Sequence, residues 1–160
     1  MLKQYYNSET YTARNSAGYL VKRAHGLFLD ALEPGLVEHG LNYTQYAVMM
    51  ALRDSIALNS RDICINLRHD SGALTRVLDQ LEARGLVERR RSTEDRRAVE
   101  LHLTAQGQAM LRAAVPAVVE RINSAVREFS HAEMDELLRL LNKLILGLQT
   151  DIAEHSGGAA

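Results

Sequence analysis

The period of the apolar pattern changes at one point in this chain, and that change limits the folds open to it. Over residues 71–84, Leu74, Leu78 and Leu81 recur at helical spacing, with Gly72, Thr75, Arg76 and Asp79 on the opposite face. After Gly85 the residues alternate instead. Leu86-Val87-Glu88-Arg89-Arg90 and Val99-Glu100-Leu101-His102-Leu103 read as two strands around a polar tip, residues 92–97. A helix stopped by glycine and followed at once by a hairpin is expected, with Gly85 as a left-handed cap.

The flanking sequence supplies further helices. Leu20, Ala24, Leu27, Phe28 and Ala31 step by three and four through residues 13–32, and Pro34-Gly35 should bend or end that helix. After Gly40, Thr44 is a candidate cap for a second helix carrying Tyr46, Ala47, Met50 and Ala51, apolar nearly all round and expected to be buried. Ser60 is a candidate cap for a short third helix with Ile63, Cys64 and Leu67 inward, and His69-Asp70 makes the turn into the fourth. Thr104 should cap a long fifth helix bent at Pro116. Ser130 should open a sixth, with Met134, Leu137, Leu138, Leu141, Leu144, Ile145, Leu148 and Ile152 along it.

That last stripe is wider than one small domain covers, so the first, fifth and sixth helices are expected to pack against a second copy of the chain. The expected fold class is mainly α with a small β-hairpin wing: a winged helix-turn-helix over residues 41–103, and a helical dimerisation region from residues 13–40 and 104–153. Residues 1–12 lack apolar periodicity and residues 154–160 are small and polar; both read as tails, although Tyr5, Tyr6 and Tyr11 are more aromatic than a loose tail needs.

Composition narrows the function. A net charge of -1 argues against coating nucleic acid by bulk charge. Positive charge is instead local. Six of the 19 basic residues (Arg84, Arg89, Arg90, Arg91, Arg96 and Arg97) fall within residues 84–97, against Glu88, Glu94 and Asp95. The single cysteine excludes an internal disulfide and reads as a packed core thiol. The six histidines are scattered without metal-ligand spacing, and no nucleophile elbow, phosphate loop or dinucleotide fingerprint occurs, so no metal, cofactor or enzymatic activity is expected. The polar N-terminus and the lack of a long apolar run imply a soluble, cytoplasmic protein with no membrane partner.

Two short helices joined by a tight turn, followed by a basic hairpin, suit double-stranded DNA. A major groove about 12 Å wide admits one helix, whose N-terminal residues lie nearest the base edges. Ser71, Gly72, Thr75 and Arg76 are small or hydrogen-bonding side chains there, and close backbone approach would account for the glycine. Whether Arg76 grips a guanine edge or a phosphate is open. Ser60, at the start of the third helix, joins them as a candidate DNA contact.

Leu41-Asn42-Tyr43-Thr44-Gln45-Tyr46, Leu74-Thr75-Arg76, Leu81-Glu82-Ala83-Arg84-Gly85-Leu86-Val87, Asp95-Arg96-Arg97 and Leu103-Thr104-Ala105-Gln106-Gly107 form an ordered set. With these elements in this order the chain resembles the MarR (multiple antibiotic resistance regulator) family over roughly residues 15–152. The resemblance implies that Arg97 enters the minor groove with Asp95 orienting its guanidinium, a placement favoured by the negative potential of a narrow groove. Arg89, Arg90, Arg91 and Arg96 would then hold phosphates. It implies a homodimer on an inverted-repeat operator, and a small aromatic or phenolic effector that releases DNA from a crevice between the dimerisation helices and the DNA-binding lobe. Arg14, His25, Tyr43, Tyr46 and Met50 are the candidate lining. The peroxide-sensing members carry a reactive cysteine in the first helix, which this chain lacks. A constitutive DNA-binding accessory protein without effector, and a helical interaction protein whose arginines meet an acidic protein, are the alternatives.

Overall fold

The computed structural model describes residues 4–92 and 99–156. Six helices and one hairpin occur among them: α1 (Ala17–Val37), α2 (Tyr43–Arg53), α3 (Ser60–Leu67), α4 (Ser71–Ala83), β1 (Val87–Arg91), β2 (Val99–Leu103), α5 (Ala105–Ala125) and α6 (His131–Ser156). This is the mainly α fold with a small hairpin that the periodicity indicates. The chain divides into two compact units with the boundary after Arg121.

In the first unit the core forms where the stripes of α1, α2, α4 and α5 meet the hairpin. Leu36, Met49, Leu74, Leu78, Leu81 and Leu111 are fully buried, and Val87 and Leu101 close the core from the strands. Side chains at these spacings all point to one side of their element, so burying them fixes each element's rotation. The strands pair antiparallel, Val87 opposite Leu103 and Arg91 opposite Val99. Leu101 also donates its N–H to the Leu58 carbonyl at 2.7 Å, which ties β2 to the segment before α3.

Four sequence expectations shift. The first helix starts later and runs through Pro34 to Val37. Proline removes one backbone donor, but Leu32, Gly35 and Leu36 are buried on that last turn, and their packing holds it. Past the helix end Gly40 is left-handed at φ +65, and the Leu41 N–H bonds back to the Leu36 carbonyl. The cap of α2 is Asn42, not Thr44: its side chain accepts from the Gln45 N–H at 2.9 Å while Gln45 Oε1 accepts from the Asn42 N–H at 3.2 Å. Asn59, not Ser60, caps α3 by accepting from the Asp62 N–H. In both cases an asparagine supplies the short acceptor that helix starts favour. The first strand begins one residue later than the alternation suggests.

Gly85 is left-handed at φ +67, as expected. A second glycine has a stricter role. A Cβ on Gly107 would sit 2.0 Å from the Leu86 carbonyl oxygen. Thr104 sets up this close approach: its hydroxyl donates to the Gly85 carbonyl at 2.6 Å and accepts from the Gly107 N–H at 3.0 Å. The Leu-Thr-x-x-Gly element is thus a clamp that docks the start of α5 on the strand leaving α4.

Residues ahead of α1 are tied to it, an attachment that apolar periodicity did not indicate. Tyr6 Oη accepts from the Ala17 N–H at 3.0 Å, and the Tyr11 hydroxyl bonds the buried Ser16, which caps α1. In the second unit, Ser130 and Glu133 form a reciprocal cap at the start of α6. None of the described side chains of α6 is buried, and Leu138, Ile145, Leu146 and Leu148 are all more than half exposed.

Candidate nucleic-acid interface

The two short helices are joined by a turn that the sequence builds locally. Arg68 ends α3 in the left-handed conformation at φ 52. Asp70 then caps α4, accepting from the Ala73 N–H at 2.9 Å. With Leu74, Leu78 and Leu81 buried, Ser71, Gly72, Thr75 and Arg76 are exposed together on the N-terminal half of α4. Thr75 donates its hydroxyl to the Ser71 carbonyl at 2.8 Å, which leaves the oxygen its acceptor capacity. Arg76 makes no hydrogen bond or ion pair among the described residues. Gly72 has a reason inside the chain as well: a Cβ there would approach the capping carboxylate of Asp70 at 3.2 Å.

Part-buried polar contacts tie α4 to α2. Gln45 is buried on α2 and donates to Gln80 Oε1 at 3.1 Å, while Arg84 Nη1 donates to Gln45 Oε1 at 3.5 Å. Sequence reasoning missed this network. The Asn-x-x-Gln spacing at Asn42 signals the cap, but the reach to Gln80 emerges only once α2 and α4 pack.

The arginines of β1 fall into distinct environments. The sequence places Arg89 among the phosphate contacts; in the structure its guanidinium spans two carboxylates of α4, donating to Asp79 at 2.8 Å and to Glu82. Arg90 pairs with Glu88 along the strand. Arg91 is exposed and has no ion pair among the described residues. On β2, hydrogen bonds from Ser92 and His102 hold the Glu100 carboxyl below its ordinary 4.5. Asp95, Arg96 and Arg97 lie outside the described residues. Ser60 is exposed at the first turn of α3.

Three of the five candidate effector residues come together between α1 and α2. The His25 and Tyr43 rings meet edge-on at 6.1 Å, and Tyr43 and Tyr46 lie 6.5 Å apart. Burial pushes the Tyr46 phenol above its ordinary 10.0. No ring, hydrogen-bond or ion-pair contact joins Arg14 or Met50 to this group among the described residues. Cys64 is half-buried on α3 and is the one thiol of the chain. No cluster of three potential metal-ligating residues occurs among the described residues, and no described helix is long and apolar enough to cross a membrane.

A capped helix with an exposed polar N-terminal half, braced on a second short helix and followed by a basic hairpin, defines a winged helix-turn-helix DNA-binding protein. Comparison with known proteins agrees. The model of the MarR family matches residues 41–99. The transcriptional repressor MprA of Escherichia coli K12 is 30% identical over 124 residues, 76% of this chain and 69% of that protein. Among solved structures, a MarR variant from E. coli complexed with operator DNA matches with TM-score 0.68 and 26% identity over 79% of this chain and 91% of that one. BpsR of Bordetella bronchiseptica, described as regulated in its DNA binding by 6-hydroxynicotinic acid, matches with TM-score 0.70 and 27% identity over 84% and 96%. The chain belongs to the MarR family of DNA-binding transcriptional regulators.

Proposed function

We propose that this regulator is a homodimeric repressor that reads an inverted-repeat operator and is released by a small aromatic or phenolic acid. The observation that carries the DNA-reading part is the exposed group Ser71, Thr75 and Arg76 on a helix whose opposite face is wholly buried. Such a helix presents only its polar edge to a groove. Thr75 meets base-edge donors or a thymine methyl, and Arg76 grips a guanine edge. Ser60, Arg90, Arg91 and Arg96 hold the sugar-phosphate backbone, while Arg97, oriented by Asp95, takes the minor groove. Arg89 is a positioning residue, since its donors are committed to α4.

Dimerisation is assigned to residues 13–40 and 104–153, with residues 41–103 as the DNA-binding part. The support is the apolar surface left uncovered in a single chain: Leu20, Leu27 and Phe28 on α1 and the leucine-rich length of α6. Repression draws on the likeness to MprA, and release by a ligand on the likeness to BpsR. The His25, Tyr43 and Tyr46 group offers an imidazole and two phenols beside apolar surface, a lining suited to an aromatic acid; Arg14 and Met50 complete the candidate set.

Footprinting on genomic fragments selected by the protein, with and without a panel of aromatic carboxylates, tests the whole reading. It predicts protection of two symmetric half-sites about 10 base pairs apart, lost on addition of an active acid. Protection of a single unrepeated site, or protection indifferent to every acid, contradicts the dimeric or the effector part respectively.

A further inference from the structure

One backbone position in the helix-turn-helix holds a residue that the fold alone would not choose. Among the described residues φ is positive at Gly40, Ser55, Arg68 and Gly85. The two glycines follow α1 and α4, where the left-handed region favours them. Arg68 closes α3 at φ 52 and ψ 38. Its N–H and that of His69 both bond to the Cys64 carbonyl, so this bend stops α3 and directs the chain into α4. The Cβ of an arginine is crowded by the following carbonyl in that conformation, and glycine would make the same bend without the strain.

Pairing within the chain does not account for the arginine either. Arg68 is exposed, and its side chain makes no hydrogen bond or ion pair among the described residues. The acids closest to it in sequence serve the helix caps: Asp62 accepts from the Asn59 amide at 2.7 Å, and Asp70 from the Ala73 N–H at 2.9 Å. Arg53, Arg89 and Arg90 each hold a carboxylate instead.

Chain length locates this charge. Arg68 lies three residues before Ser71, the first residue of α4, so their Cα atoms are at most about 10 Å apart. A groove about 12 Å wide that receives the start of α4 therefore has its phosphate wall within reach of a long side chain rooted at the turn. We propose that Arg68 is a phosphate anchor that sets where α4 enters the groove, and that the left-handed strain is retained for this contact. The inference rests on the reading of DNA by α4. As a phosphate contact, Arg68 adds affinity without base preference.

Three variants of the full chain separate the charge from the backbone. Arg68→Gln removes the charge and keeps the strain, Arg68→Lys keeps both, and Arg68→Gly removes both. Each is measured against a genomic operator fragment and a scrambled duplex at about 0.05 and 0.2 M salt, together with its melting temperature. Arg68→Gln and Arg68→Gly should weaken both duplexes alike, roughly fivefold or more at the lower salt, and lower the slope of log affinity against log salt by about 0.9 per bound subunit. Arg68→Lys should keep the native slope. Arg68→Gly should bind worse yet melt no lower than the native protein, a combination that a merely structural arginine does not produce. A native slope in Arg68→Gln, a loss confined to the operator, or an Arg68→Gly protein that regains what Arg68→Gln loses overturns the anchor, and a lower-melting Arg68→Gly overturns the strain. A native protein that binds neither duplex defeats the reading of DNA itself, whereas a native protein that binds no better than Arg68→Gln defeats this inference alone.

Discussion

Arg89 on the wing strand donates to Asp79 on α4 at 2.8 Å, so the hairpin and the helix that precedes it are joined by charge as well as by the buried leucines. An arginine in this position has two conceivable roles, phosphate contact or brace, and they differ in what happens when its partner is removed. As a brace, Arg89 depends on Asp79. Asp79→Asn and Arg89→Ala should then weaken DNA binding alike, with the slope of log affinity against log salt unchanged in either variant. If Arg89 contacts phosphate, Asp79→Asn should strengthen binding, and Arg89→Ala should reduce the slope by about 0.9. The pair is half-exposed, and its loss should cost no more than about 1 kcal/mol of stability.

Gly107 is the position where the fold tolerates least. A methyl 2.0 Å from the Leu86 carbonyl cannot be accommodated by a side-chain rotation, because the obstacle is backbone. Gly107→Ala should cost on the order of 3 kcal/mol, lowering the melting temperature by roughly 6–12 °C in a chain of this size. Thr104→Val, which removes the hydroxyl from the same clamp, should cost about 1–2 kcal/mol. Thermal denaturation followed by circular dichroism measures both, and a Gly107→Ala protein as stable as the native one would refute the clamp.

The start of α6 carries a pH dependence. Bonds from the Ser130 backbone N–H, and then from its hydroxyl, hold the Glu133 carboxyl below its ordinary 4.5. A carboxyl with a lowered folded-state pKa stabilises the fold fully above the ordinary value, and that contribution is lost as pH falls through the folded one. Glu133→Gln should therefore be less stable than the native protein at neutral pH. The difference should shrink as pH drops below 4.5. Denaturation curves at a series of pH values decide the matter, and a difference constant across the series rules out the ionised cap.

The uncovered face of α6 predicts that the native chain sediments as a dimer. Replacing Leu141 and Leu148 with glutamate places charge on that face, and should yield monomer or aggregate with a large loss of DNA affinity. Analytical ultracentrifugation at micromolar concentration reads this directly. A well-folded native monomer that still binds its operator would contradict the assignment.

Much of this architecture was legible because it is local. The change of period at Gly85, the Leu74, Leu78 and Leu81 stripe, and the caps at Thr104 and Ser130 each depend on residues within a few positions of one another. Pro34 was misleading for a non-local reason: the burial of Leu36 decides whether the last turn of α1 survives, and that burial is a tertiary fact. Leu20, Leu27 and Phe28 show the opposite case, since their spacing marks an apolar face correctly but the single chain leaves that face exposed. In the site, the exposure of Ser71, Thr75 and Arg76 follows from helical geometry alone. The pairing of Arg89 with Asp79 and Glu82 does not, because it requires the angle between the strand and α4, and neither does the link from Gln45 to Gln80. The meeting of His25 with Tyr43 joins residues of two helices and rests on how α1 and α2 pack.

The central claim is that α4 reads sequence while the wing supplies affinity. It is tested most directly by measuring Arg76→Ala and Arg91→Ala against the operator and a scrambled duplex at two salt concentrations. The account predicts that Arg76→Ala costs about 1–3 kcal/mol on the operator and little on the scrambled duplex. Arg91→Ala should weaken both duplexes equally and lower the salt slope by about 0.9. Equal loss on both duplexes for Arg76→Ala would make it a phosphate anchor and contradict the reading of bases by α4.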